Sequence, residues 1–70
     1  MKDYKLIYDR LKEQFGKDYM TTDEFSKFIG IDKSRIYEGV KARTLPAVRI
    51  SERIIRFPLD KVALWIAKSN

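Results

Sequence analysis

Ten side chains between residues 33 and 56 are of types that could act together: Lys33, Ser34, Arg35, Tyr37, Glu38, Lys41, Arg43, Arg49, Arg53 and Arg56. Lysine and arginine present only donors, and the planar guanidinium fork matches phosphate oxygens or the O6 and N7 acceptors of guanine. Serine can donate or accept, and a glutamate can accept from the amino group of cytosine. The stretch from Lys33 to Arg56 holds seven basic residues against two acidic ones, while the rest of the chain holds eight of each. The whole net charge of +5 therefore lies in one contiguous third of the sequence. Such clustering is the footprint of a surface that meets nucleic acid; a solvated face that keeps a small protein soluble is the plainer reading.

Other chemistry is poorly provided for. The 70 residues include no histidine and no cysteine, which removes the commonest general base, the commonest metal ligand and any disulfide. The acidic residues are dispersed, no Ser-x-x-Lys occurs, and so short a chain leaves little room for a deep pocket. An enzyme is accordingly the least favoured class, with no catalytic residue, metal site or cofactor expected. The opening MKDYKLIYDR mixes charge among apolar residues, unlike a secretory signal, and no apolar run nears the roughly 18 residues of a membrane span. A cytoplasmic protein without a membrane partner is the expectation.

The basic residues need elements to position them. Tyr4, Ile7, Tyr8, Leu11 and Phe15 recur at helical spacing, which predicts a helix from about Asp3 to Phe15, stopped by Gly16. Its stripe serves to cover the core or, with Leu6 beside it, to meet a partner. Thr21 and Glu24 make a capping box and Met20 can staple against Phe25, opening a second helix that ends at Gly30. Asp32 is placed to cap a third, running to about Ala42, with Ile36 and Val40 inward and Lys33, Ser34, Arg35, Glu38 and Lys41 outward. Two short helices joined by a glycine turn read as a helix-turn-helix. Gly39 marks either a close approach or fraying.

Beyond Pro46, AVRI and IIRF flank SER as a hairpin. Setting Val48 opposite Phe57 pairs Ile50 with Ile55 inside and Arg49 with Arg56 outside, two like charges that only an anion would relieve. Arg53 sits at the tip. Leu59 to Ile66 form a last helix with Asp60 in its first turn and Trp65 as a core anchor rather than a base-stacking residue. The fold class is thus mostly α with a small β-hairpin, a winged helix-turn-helix with an additional N-terminal helix. The expected division is an amphipathic helix at 1–19 and a DNA-binding unit at 20–70, together one compact domain.

Thr21, Glu24, Gly30, Ile31, Tyr37, Leu45, Pro46, Ala47, Arg49, Arg53, Arg56, Phe57 and Trp65 follow in an order and spacing that resembles the excisionase-like helix-turn-helix domains, close to the DNA-binding domain of the MerR regulators. The resemblance covers about residues 20 to 67. It implies a second helix in the major groove, a wing on the adjacent minor groove or backbone, and cooperative binding with DNA bending. It also implies bacterial or phage-encoded proteins associated with DNA: recombination directionality factors, or phage and plasmid regulators. Two positions depart from the pattern. The glycine usual before Leu-Pro is replaced by Arg43-Thr44, and the glycine usual in the wing turn by Ser51-Glu52. Nothing carries over to the helix before Asp18.

In that setting Lys33 and Arg35 suit guanine, Ser34 serves either role, and Glu38 either reads cytosine or pairs with Arg35 or Lys41. Tyr37 either reaches phosphate or packs between helix and wing. Lys41 and Arg43 extend the basic surface, Arg49 and Arg56 neutralise phosphates, and Arg53 enters a narrow minor groove. The expected partner is double-stranded DNA, with self-association on DNA or a recombinase or replication protein besides. The competing class is an interaction module that recruits or inhibits a recombinase, replication protein or repressor. Salt separates the two: phosphate contacts weaken steeply with it, and an apolar helix contact barely responds.

Overall fold

Helix boundaries fall where backbone polar groups find local partners. The structure is a computed structural model that describes residues 3–69; the expected ranges 1–19 and 20–70 include positions 1, 2 and 70, which lie outside the described residues. Helix α1 spans Tyr4–Phe15 and ends as Gly16, at φ 68°, donates its N–H to the Lys12 carbonyl at 2.8 Å. Helix α2 spans Thr22–Ile29 under the expected capping box: the Glu24 N–H donates to Thr21 Oγ1 at 3.2 Å, and the Thr21 N–H donates to Glu24 Oε1 at 2.9 Å. Gly30, at φ 77°, turns the chain. Asp32 then accepts the Arg35 N–H at 3.2 Å and opens α3, Lys33–Lys41.

Three strands lie among the helices. β1 (Tyr19–Thr21), β2 (Val48–Arg49) and β3 (Ile55–Pro58) form an antiparallel sheet in the order β1-β3-β2, and α4 (Leu59–Lys68) follows directly. β1 was not anticipated. Its three residues include the cap Thr21, and their reason for being extended is pairing with β3, Met20 facing Phe57. The sheet is therefore one strand wider than a hairpin, and the wing is anchored at its base.

The structure corrects the hairpin register. Val48 faces Arg56 and Arg49 faces Ile55, one residue off the expected pairing. The turn does run from Ser51 to Ile54, whose N–H donates to the Ser51 carbonyl at 3.3 Å, but Ile50 and Ser51 both donate to the Ile54 carbonyl, at 2.8 and 3.3 Å. Two residues on one side against one on the other make a bulge, and a bulge shifts every pair beyond it by one. Ile50, expected inside, is 63 % exposed, and Arg49 and Arg56 do not face each other.

The core joins every layer. Leu11 of α1, Met20, Phe25, Ile36, Ile55, Phe57 and the α4 residues Leu59, Val62 and Ala63 are buried together. Phe25 and Phe57 stack with centroids 4.1 Å apart at 8°, and Trp65 tilts against Phe25 at 5.7 Å. Helix α1 packs along α4, with Tyr4, Ile7, Tyr8 and Phe15 partly buried against the core, so its stripe covers apolar surface as expected. Gly39 marks a close approach: an added Cβ would lie 2.6 Å from Leu45 Cδ1, so Leu45 folds back onto α3. Among the described residues no helix is long and apolar enough to cross a membrane.

Candidate nucleic-acid interface

Helix α3 buries Ile36 and leaves Lys33, Ser34, Arg35, Tyr37, Glu38 and Lys41 exposed. Its N-terminal turn is tied down by Asp32, which accepts the Arg35 N–H and also the Ser34 hydroxyl at 3.1 Å. The capping carboxylate thus fixes the backbone under Ser34 and Arg35 and leaves the Arg35 guanidinium outside the ion pairs formed among the described residues. Glu38 joins no ion pair there either, so the intrahelical partners weighed for it are not engaged. Tyr37 is 50 % exposed.

Lys33 is held differently. Its Nζ lies 3.0 Å from Asp23 Oδ1 across the turn, and Lys27 approaches the other carboxylate oxygen at 3.6 Å. The hydrogen bond from Lys33, with its charge, keeps the Asp23 carboxyl below its ordinary range, and the same bond raises the Lys33 ammonium above its own. Asp23 is a site residue that sequence reasoning missed. Lys27, one turn on, gave a local signal, but a contact ten positions away gave none.

At the other end of α3 the chain leaves through Arg43, at φ 61°, the one non-glycine residue with positive φ among those described. Thr44 donates to the Gly39 carbonyl at 2.9 Å and Arg43 to that of Val40 at 3.1 Å, a closure that usually places glycine where Arg43 stands. The missing glycine before Leu-Pro is therefore a strained arginine, in a position where its charge also suits the helix terminus. Arg43→Gly is expected to raise the unfolding midpoint by a few degrees, about 1 kcal/mol, while weakening binding to duplex DNA. A thermal melt beside a DNA titration checks the two opposite signs.

The corrected register sorts the wing arginines by face. Arg49 shares the face of Ile55, toward α3, and with Arg43, Val40, Leu45 and Ala47 it lines a concavity between the end of α3 and β2. Its Nη1 donates to the Glu52 carbonyl at 3.1 Å, bracing the turn that a glycine would otherwise have shaped. Arg53 is exposed at the tip, where its N–H reaches Ser51 Oγ at 3.4 Å. Arg56 projects to the opposite face, donates from Nη1 to the Ile55 carbonyl at 3.0 Å, and lies 5.2 Å from the centre of the Tyr19 ring. Lys17 approaches the same ring at 5.0 Å. Tyr19 joins the site's surroundings through β1, the strand that sequence patterning missed.

The structure thus brings together the end of α3, Arg43 and Arg49, leaves Arg53 exposed at the wing tip, and sets Arg56 apart on the other face. A comparison with family models matches residues 19–70 to the helix-turn-helix domain, from the first residue of β1 onward, with α1 outside the match. No curated protein and no solved structure matches the chain. Since the match takes in both helices of the turn, the complete sheet and α4, the chain belongs to the helix-turn-helix domain family and is a small DNA-binding protein.

Proposed function

We propose that this protein binds double-stranded DNA sequence-specifically, with α3 in the major groove and the wing on the adjacent minor groove or backbone, as a recombination directionality factor or a phage or plasmid regulator acting in the cytoplasm. The observation that carries the reading is an Arg35 outside the ion pairs of the described residues, on the first turn of a well-capped, outward-facing α3, with Arg43 and Arg49 converging where that helix meets the wing. Arg35, Ser34 and Glu38 address base edges in this reading. Tyr37, Lys41, Arg43 and Arg49 address the backbone. Lys33 reaches DNA only by leaving Asp23, and Arg56 contributes charge from the far face of the sheet. No catalytic step is assigned to the protein.

One recognition helix reads only a few base pairs, so specificity requires repeated sites, self-association on DNA or a partner such as a recombinase. A gel-shift titration on the DNA upstream of its own gene and on random duplex, at two salt concentrations, tests the proposal. Discrete, laddering complexes on the first DNA that are lost at higher salt support it; no complex on either DNA rejects it. Within that assay Arg53→Ala is expected to weaken binding on most sequences and to reduce the slope of log K against log salt by about one unit. An unchanged slope removes Arg53 from the interface.

A further inference from the structure

We propose that the groove beside α4 is a docking site for an acidic amphipathic helix of a protein partner. Leu59, Val62 and Ala63 are fully buried and Trp65 tilts against Phe25, yet Leu64 and Trp65 both stay only half-buried and present apolar surface outside the core. With Leu45 and Pro46 of the loop after α3, those two side chains floor an open groove. A helix that carries apolar surface beyond its core stripe has something further to cover.

Charge identifies the occupant. Lys61 and Lys68 stand at the two ends of the groove, both exposed and in no ion pair among the described residues, and no carboxylate lines it. Their spacing is two helical turns, about 10 Å along α4. A partner helix with carboxylates at i and i+7, and leucine or aromatic residues at i+3 and i+4 between them, matches both the ends and the floor. A phosphate backbone would satisfy the lysines and leave Leu64 and Trp65 uncovered. The groove lies across the Leu45–Ala47 segment from the concavity of Arg43 and Arg49, so a partner there sits beside DNA rather than in its place.

Trp65 is the single tryptophan of the chain and reports on the groove directly. The probe is a synthetic helical peptide with glutamates at i and i+7 around two central leucines, titrated into the full chain at moderate salt. A saturable blue shift of tryptophan emission is expected, weakened tenfold or more by Lys61→Glu with Lys68→Glu and in the same direction by the milder Lys61→Gln with Lys68→Gln. Reversing Arg49 and Arg53 to glutamate should leave the peptide affinity within twofold, which separates groove docking from general attraction to a basic protein. The proposal is overturned by an absent shift with the native chain, by an equal shift from a peptide with lysines in place of the glutamates, or by charge reversal without effect. A double reversal that lowers DNA affinity while the peptide remains silent also overturns it, by giving both lysines to DNA.

Discussion

Phe57→Ala is expected to leave the domain largely unfolded at 25 °C. Phe57 is fully buried and stacks on the equally buried Phe25 at 4.1 Å, so truncation removes an aromatic contact and leaves a cavity between the sheet and α2. Phenylalanine-to-alanine changes in cores cost about 3–5 kcal/mol. A chain of this length has a total stability of order 5 kcal/mol, with no disulfide to reinforce it. The loss is thus comparable with everything that holds the fold together. Urea unfolding followed by far-UV circular dichroism checks it, with Phe57→Leu expected to keep a cooperative transition displaced by about 1–2 kcal/mol. An alanine variant within about 1 kcal/mol of the parent would mean that the Phe25–Phe57 stack is not the centre of the core.

That stack also shows what could be read from sequence and what could not. Thr21 with Glu24, Gly30, Asp32 and the stripe of α1 were legible because each is a local rule: a cap, a left-handed turn or a helical period decided within a few residues. β1 was not, because three residues are too short a run to mark a strand, even with Tyr19 and the extended cap Thr21 among them, until β3 is beside them. The wing illustrates a sharper limit. The turn at Ser51–Ile54 was anticipated, yet a single shared carbonyl, that of Ile54, moved the register by one residue. Because side chains alternate along a strand, that one bulge placed Arg49 with α3 and Arg56 with Tyr19. The charge cluster in the sequence was real, but its division between two faces depended on one backbone hydrogen bond that composition does not encode. Lys33 follows the same logic, since the Asp23 that holds it is brought near only by the fold of the two-helix turn.

Arg35→Ala is expected to weaken binding to the preferred DNA site by about 1–3 kcal/mol, roughly five- to a hundred-and-fiftyfold, and to relax sequence preference at one base pair. The residue is chosen over Lys33 because its guanidinium is outside the ion pairs of the described residues, whereas Lys33 starts in the grip of Asp23. The fold should be indifferent to the change. Only the backbone N–H of Arg35 serves the Asp32 cap, and alanine keeps that donor while being the better helix former. A lost affinity can then be assigned to the contact itself. Arg35→Lys sharpens the reading, because it retains the charge and removes the fork that reads two acceptors at once. Binding to random duplex should survive that change almost intact, while the advantage of the preferred site shrinks. Anisotropy titrations on the preferred duplex, on its single-base variants and on random DNA measure all three quantities. If Arg35→Ala weakens specific and random DNA alike, Arg35 is a phosphate contact, and base reading passes to Ser34 and Glu38, one turn apart on the same exposed face of α3.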